Sequence, residues 1–444
     1  MFSVVLSKHL AIMKNDFVSL LGQTLPKKET NSLIECINAG DSPVSIRVNR
    51  KKIHEGLKLK AENGSVSHCG DGFFLKERPL FTADPLLHAG FYYVQEANSM
   101  WIGEVARWIL GASAEGISPE KKSQEKKMAA KGRVVLDLCA APGGKSTHLS
   151  SVLGEGDQLV ANEIISVRNS ILFENVSKWG DGNTLITKAD AKEFGKLDSV
   201  FDLISCDAPC SGEGLFRKDD LAQNEWSLEH VDLCTQRQQR IVFDVWDALK
   251  PGGYFIYSTC TYNRKENEDN VLRFCEELGA DLIELPSDMD GREFLYELEP
   301  KMYRCMPHLS QGEGLFFAIL RKHGVAEEVR TSFRLPGMVH EKAPIGEVFH
   351  GKWKPHPAAA LLNSLSRGDL FKNVPTVELS DEEVMLYLRR EFIPLKTKEL
   401  GAVLLTWKGF NMGTANAVKN GLNNLLPMEW RVRSQFSANS IFVL

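Results

Sequence analysis

The chain has 444 residues, 43% of them hydrophobic and 25% charged, with a formal net charge of −5. Those proportions belong to a water-soluble globular protein with room for two or three domains. They exclude a polyanion binder that works through bulk positive charge, so any nucleic-acid surface must be local. No apolar run reaches the roughly 18 residues that a membrane-crossing helix needs.

Met1 to Met13 is apolar but is broken by Lys8 and His9 and lacks a small-residue cleavage site. That argues against a signal peptide and leaves Met13 as an alternative start. Asn31 to Ala39 predicts a helix, with Leu33, Ile34 and Ile37 at helical spacing. VSIRVN (44–49) alternates as a strand does, with Val44, Ile46 and Val48 on one face. Gly70 to Gly72 marks a turn. QEANSMWIGEVARWIL (95–110) reads as an amphipathic helix. Residues 113–133 have no apolar periodicity and carry Lys121, Lys122, Lys126, Lys127, Lys131 and Arg133. They read as a solvated insertion.

From 133 onward, short apolar runs alternate with helices. RVVLDL (133–138), QLVANE (158–163), NTLITKAD (183–190), FDLISCDAP (201–209) and YFIYSTC (254–260) are predicted strands. Helices are predicted after Gly143-Gly144, from Ser166 to Trp179 and over roughly 230–249, with PGG (251–253) as the turn into the fifth strand. LFFAILR (315–321) is a late strand. The alternation predicts a parallel sheet with helices on both faces. Ligands of such sheets bind beyond the carboxyl ends of the strands. After about 323 the rhythm stops. Residues 333–344 read as a linker, and 345–444 hold short strands such as AVLLTW (402–407). The tail also carries Lys396, Lys398, Lys408, Lys419, Arg431 and Arg433.

Three motifs fall at strand ends. LDLCAAPGGKS (136–146) joins the first strand to its helix. Small residues there let backbone amides approach a ligand, and the helix amino-terminus favours an anion. Gly144-Lys145-Ser146 matches the end of a Walker loop, but Cys139 replaces that loop's first glycine, and GxGxxG is absent. A loop for the carboxylate of the methionine part of S-adenosylmethionine remains. Glu163 closes the second strand, where an acid can accept both ribose hydroxyls of an adenosine. Asp190 ends the third and could accept from the adenine amine. Taken alone, each acid would be an ordinary solvated strand-end residue.

CDAPCSGEG (206–214) and STCTYNRKENED (258–269) follow the fourth and fifth strands. The nine cysteines are Cys36, Cys69, Cys139, Cys206, Cys210, Cys234, Cys260, Cys275 and Cys305. Their scatter suits free thiols in a reducing, cytoplasmic compartment. A lone buried cysteine is usually a packing residue, yet Cys210 and Cys260 both leave strands at the ligand edge. Cys206 and Cys210 lack companions at zinc spacing, so no metal is expected. Beside a methyl donor, a thiolate has a specific use. Carbon-5 of cytosine becomes nucleophilic only after a thiolate adds at carbon-6; loss of the carbon-5 proton later expels the sulfur. Asp207 is of the right type to hydrogen-bond ring nitrogen-3 and the exocyclic amine, against a plain role as turn cap before Pro209. The target base must also leave its stack. On these grounds Cys210 and Cys260 are equal candidates for the nucleophile.

Together LDLCAAPGGKS, CDAPCSGEG and STCT resemble the motifs of the NOL1/NOP2/Sun family of RNA 5-methylcytosine methyltransferases. PVSIRVN (43–49) and QEANSM (95–100) resemble its N-terminal region, and LLTWKGFNMGTANAVKNGLNNLLPMEWR (404–431) resembles the PUA-like domain of its bacterial RsmF branch. The resemblance implies an α/β fold with a Rossmann-like class I S-adenosylmethionine methyltransferase sheet. It implies a small N-terminal domain (1–90), a catalytic domain (91–323), a linker and intermediate segment (324–392) and a PUA-like RNA-binding region (393–444). It implies S-adenosyl-L-methionine bound by Cys139, Ala140, Ala141, Pro142, Gly143, Gly144 and Lys145, with Glu163, Arg168, Asp190 and Asp207. Lys145 would also approach the target base. The resemblance further implies Cys260 as nucleophile, Cys210 assisting product release and Asp207 as the third catalytic group. The implied partner is 16S rRNA or the small ribosomal subunit, met by a monomer in the cytoplasm, away from membranes. Ser146 stands where threonine is common in the family, and the lysine-rich insertion is atypical. Two rival functions are an RNA-binding assembly factor without turnover and an ATPase using Lys145.

Overall fold

The computed structural model describes residues 15–53, 57–60, 62–111, 132–325, 334–340, 346–349, 352–363, 370–395 and 398–443. Met1 to Met13, Lys396 and nearly all of the lysine-rich insertion lie outside them. Among the described residues no helix is long and apolar enough to cross a membrane.

Five strands form the parallel heart of the central sheet: Val134–Asp137, Gln158–Asn162, Thr184–Thr187, Phe201–Asp207 and Leu249–Thr259. Their residues are apolar on both faces, as a sheet covered by helices on both sides requires. Val135, Leu136, Leu159, Val160, Leu203 and Ile204 are all buried. Asp137 lies opposite Ser205, and Asp207 opposite Ser258. The strands therefore end level, and the three motif loops leave the sheet at one edge.

The sheet is mixed, which corrects the expectation of a parallel one. Leu315–Arg321 runs antiparallel to Leu249–Thr259, with Phe316 opposite Thr259. The physical reason is the path before it: residues 281–313 build further edge strands, and the chain re-enters at the motif edge and runs back down. Other boundaries shift too. The helix expected from about 230 runs over Leu228–Val245, capped by Ser227 Oγ accepting from His230 N. The PGG segment is not a turn before the fifth strand but lies inside it, as an irregularity between Leu249 and Tyr254 where Gly252 has φ 78°. The helix expected over 95–110 is α-helical only over Trp101–Ile109. Ahead of it Asn98 spends its amide on Ser310 Oγ and the Glu313 carbonyl.

The N-terminal part has helices Asn15–Thr24 and Lys27–Ala39 and a four-stranded sheet, Glu62–Val66, Cys69–Leu75, Val44–Val48 and Tyr92–Tyr93 in spatial order. The turn expected at Gly70 to Gly72 falls instead at Ser67-His68. Gly72 is in a strand, and a Cβ there would meet Met100 Sδ at 2.7 Å. At the far edge of the central sheet, Met338–His340 pairs antiparallel with Thr184–Thr187, so part of the expected linker is an edge strand.

The tail sheet begins at Thr376–Leu379 and continues through Gly401–Trp407, Phe410–Val418 and Gly421–Asn424. Its helix Asp381–Leu388 starts with a Ser380/Glu383 capping box. The boundary expected at 393 thus falls inside this unit. Tail and N-terminal sheet share one hydrophobic core: Ile46, Val48 and Phe91 pack with Tyr387, Leu405 and Phe410. Phe91 and Phe410 meet edge to face, with centroids 4.8 Å apart. Phe442–Val443 pairs with Lys58–Leu59, and buried Asp84 accepts from Tyr92 Oη and Ile441 N.

Candidate active site

Because Asp207 and Ser258 are neighbours in register, Cys210 and Cys260 leave adjacent strands after only a few residues. Their sulfurs lie 3.2 Å apart and are unbonded thiols. Gly214 closes the two loops on each other: its N–H donates to the Cys260 carbonyl at 2.7 Å, and a Cβ there would fall 2.7 Å from that oxygen. Ser211 Oγ and Thr261 Oγ1 are hydrogen-bonded at 2.9 Å.

Two buried carboxyl groups fasten the loops from beneath. Glu213 accepts from the Tyr262 and Asn263 amides, Asn263 Nδ2 and Trp226 Nε1 at 2.7–3.0 Å. Glu266 accepts from Ser211 N, Gln238 Nε2 and Asn263 Nδ2. Burial, reinforced by the charge of Glu213, pushes the Glu266 carboxyl up to about 7. Further out, buried Arg304 pairs with Glu268 and donates to the Tyr262 carbonyl.

Charge is distributed unequally around the two sulfurs. The hydrogen bond to Cys260, and then burial, hold the Cys210 thiol well above its ordinary value, and the Glu266 carboxyl acts in the same direction. Lys145 also feels the charge of Cys260. Lys145 donates to Asp207 Oδ2 at 2.8 Å, and Ser258 Oγ donates to Asp207 Oδ1 at 2.9 Å. Burial works against the Lys145 charge, but Asp207 outweighs it and the ammonium is held above its ordinary value. Asp137, fully buried at the end of the first strand, accepts from Ser146 Oγ at 2.6 Å. Burial raises its carboxyl to about 7.

The sequence-predicted cofactor residues gather around two cavities that share the Cys139 wall. One, of about 440 Å³, is lined by Cys139, Glu163, Arg168 and Asp190, with Pro209 and Arg240. The other, of about 180 Å³, is lined by Cys139, Ala140, Ala141, Pro142, Gly144, Lys145 and Asp207. Gly143 lines neither; at φ 115° it turns the chain into helix Gly144–Val152, a backbone position that favours glycine. Arg168 donates to the Ala141 carbonyl at 2.9 Å and lies 3.4 Å from Glu163, so it braces the loop against the acid. Asp190 caps the next helix at Lys192 N and faces Arg240 at 3.2 Å. The larger cavity is within the roughly 300–1,000 Å³ of small-molecule sites. Its two carboxylates are the acceptors that ribose hydroxyls and an adenine amine need, so the residues present fit an adenosine-bearing cofactor. Pro209 in the larger cavity and Asp207 in the smaller connect both to the cysteine loops.

Sequence reasoning missed Glu213, Glu266, Asn263, Ser258 and Arg304. Glu213 and Ser258 stood inside quoted motifs, and an acid between two glycines was a usable signal. Glu266 and Glu268 were hidden by NRKENED, which reads as solvated yet leaves Glu266, Asn267 and Glu268 at 0% exposure. The described residues hold one cluster of possible metal ligands, Cys69, Glu104 and His148, with ligand atoms within 4.8 Å of one another. A His148–Glu104 hydrogen bond at 3.0 Å accounts for this grouping without an ion.

Comparison with known proteins places these features. Residues 128–321 match the model of the 16S rRNA methyltransferase RsmB/F family, 13–97 the N-terminal domain of 16S rRNA methyltransferase RsmF, and 374–432 the methyltransferase RsmF PUA domain. Ribosomal RNA small subunit methyltransferase F of Pectobacterium atrosepticum is 34% identical over 355 residues, covering 77% of this chain and 68% of that protein. The protein of the same name from Salmonella agona is 33% identical over 333 residues, covering 71% of this chain and 65% of its own length. The chain thus spans about two thirds of the relatives it matches. Among solved structures, NSun6 from Pyrococcus horikoshii with SFG is similar, with TM-score 0.53 and 20% identity over 70% of this chain and 99% of the other. A methyltransferase homolog protein from the same organism has TM-score 0.51 and 22% identity, over 70% of this chain and 100% of the other. At these identities the structural likeness speaks for the fold alone.

Proposed function

Given that the chain belongs to the 16S rRNA methyltransferase RsmB/F family, we propose that it transfers a methyl group from S-adenosyl-L-methionine to carbon-5 of a cytosine in 16S rRNA through a covalent cysteine–cytosine intermediate. The observation that carries this reading is the pair of reduced sulfurs 3.2 Å apart beside the Lys145–Asp207 ion pair. Methyl transfer to an oxygen or an exocyclic nitrogen has no use for two thiols.

The bound cofactor supplies an electrophilic methyl group. Cys139 to Lys145 would hold its methionine part, and Glu163 and Asp190, with Arg168 bracing the loop, its adenosine. Asp207 accepts from the exocyclic amine of the flipped cytosine, and from nitrogen-3 when that ring atom carries a proton. Cys260, on the Lys145 side of the pair, gives its electron pair to carbon-6. Carbon-5 thereby becomes the nucleophile. After methylation the carbon-5 proton passes to solvent, the electrons of that bond restore the carbon-5–carbon-6 double bond, and the carbon-6–sulfur bond breaks with its electrons returning to Cys260. Cys210, the protonated partner, assists this release. The tail unit and the N-terminal part are proposed to hold RNA, with a monomer acting in the cytoplasm on rRNA or the small subunit.

The test is incubation of the purified protein with labelled S-adenosylmethionine and 16S rRNA, as free RNA and as 30S subunits, followed by nucleoside analysis. Label in 5-methylcytidine is the expected result. Label confined to ribose or to another base, or ATP binding without S-adenosylmethionine binding, overturns the reading.

A further inference from the structure

A third cavity, of about 520 Å³, lies beside the active site and outside the cofactor region. The two share a wall. Glu96 and Ser99 face the cavity that holds Lys145 and Asp207, while Ala97 and Asn98 face this one. Asn98 Nδ2 donates to Ser310 Oγ at 3.0 Å and to the Glu313 carbonyl at 2.7 Å, and Glu313 N donates to Glu96 Oε1 at 2.8 Å. Next in the chain, Gly314 packs against Gly214, whose Cβ position is 2.9 Å from the Gly314 carbonyl and 2.7 Å from that of Cys260. The cavity therefore flanks the nucleophile loop at the same edge of the sheet.

Its lining is aromatic, with two histidines, His68 and His308, the latter paired with Glu29 at 2.9 Å. The His68 ring stacks on Trp101 with centroids 4.3 Å apart and planes 8° from parallel. Phe294 stands at the rim with 44% of its surface exposed, and Leu309 with 42%. Ser65, Asn98, Ser310 and Gln311 supply polar groups. None of the described lining residues is Lys, Arg, Asp or Glu. Burial holds His68 down at about 4, and its Nε2–H donates to the Ala97 carbonyl at 3.0 Å, which leaves Nδ1 as an acceptor.

A wall without lysine or arginine, whose His308 is already taken by Glu29, does not suit phosphate, and one without aspartate or glutamate does not suit a basic peptide. A flat, neutral heterocycle with donors and acceptors on its edges suits it. Single-stranded RNA is read in this way, by stacking on aromatic rings and hydrogen-bonding of base edges. Extruding a target base also deprives its neighbours of a stacking partner. We propose that this cavity receives an unpaired nucleobase of the substrate RNA that flanks the target cytosine, stacked against Phe294 and edge-bonded by the His68 and Gln311 side of the pocket. This assignment rests on the RNA-methyltransferase reading and adds a subsite that selects the register of the RNA strand.

Binding tests it separately from turnover. The full chain is mixed with a 16S rRNA transcript containing 4-thiouridine, irradiated, and its crosslinked peptides are mapped. The expected adducts lie on peptides carrying Phe294 or residues 305–311. Phe294→Ala, at an exposed position, is expected to weaken transcript binding roughly tenfold, the loss typical of one base–aromatic stack. Phe294→Tyr restores it, and affinity for S-adenosylmethionine is unchanged in both. Parent-like binding by Phe294→Ala, failure of Phe294→Tyr to restore binding, or crosslinks confined to other surfaces overturns the subsite. A parent protein that passes these tests yet transfers no methyl group refutes the enzymatic reading and leaves the subsite standing. One that methylates 16S rRNA yet fails them refutes the subsite alone.

Discussion

Glu213→Gln removes one charge and changes almost no volume, so its cost is a matter of hydrogen bonds. Glu213 has 0% exposure and receives four donors at 2.7–3.0 Å, two on each oxygen, and a fifth, Ser211 Oγ, on Oε1 at 3.4 Å. A glutamine oxygen can satisfy one pair. Its amide then faces the other pair, which are donors too, so two hydrogen bonds to a charged acceptor are lost. At roughly 1.5–3 kcal/mol each, the loss is about 3–6 kcal/mol. Relief of the repulsion between Glu213 and Glu266 offsets part of it, which places the net near the lower end. A unit of the catalytic sheet's size shifts by roughly 2–4 °C per kcal/mol, so thermal unfolding followed by tryptophan fluorescence should move down by roughly 6–12 °C. Since Glu213 holds the amides just after Cys260, methyl transfer should slow while S-adenosylmethionine affinity stays as in the parent. A variant that melts within about 2 °C of the parent and methylates at the parent rate would refute the anchoring role.

The thiols make a paired prediction: Cys260→Ala abolishes methyl transfer, and Cys210→Ala accumulates a denaturant-resistant protein–RNA adduct on gels. Transfer by Cys260→Ala would show the assignment to be wrong. Asp137, with its carboxyl raised to about 7 by burial, makes the parent lose stability as pH rises. The folded state holds a proton that the unfolded chain releases from about pH 4 upward, so the loss accrues until about pH 7. Asp137→Asn should make the fall of melting temperature between pH 5 and 8 shallower, the remainder belonging to Glu266, and an unchanged slope would count against it. Phe410→Ala, at 5% exposure against Phe91, should cost roughly 3–5 kcal/mol. It should loosen N-terminal part and tail together in hydrogen exchange; protection lost in the tail alone would contradict the shared core.

Much of the fold could be read from local pattern, because buried parallel strands such as Val134–Asp137 and Phe201–Asp207 must be apolar on both faces. Glycines that permit close approach and small residues after the first strand likewise marked the loop from Cys139 to Gly144. Other features depended on neighbours distant in sequence. Gly72 looked like a turn residue and is in a strand because Met100 needs the space. Glu266 and Glu268 looked solvated and are buried because Ser211, Gln238 and Arg304 come to them from elsewhere in the chain. For the same reason Thr376–Leu379 could not be read as part of the tail sheet, which it joins only by pairing with Gly401–Trp407.

By itself the sequence determined the strand–helix rhythm, the cofactor loop and two cysteines at strand ends, because each depends on residue type and short spacing. It left the two cysteines chemically equivalent. Tertiary structure added what spacing could not: two sulfurs 3.2 Å apart, with Glu266 acting on Cys210 and the Lys145–Asp207 pair alongside, an arrangement that arises only when strands far apart in the chain end level at one edge of the sheet.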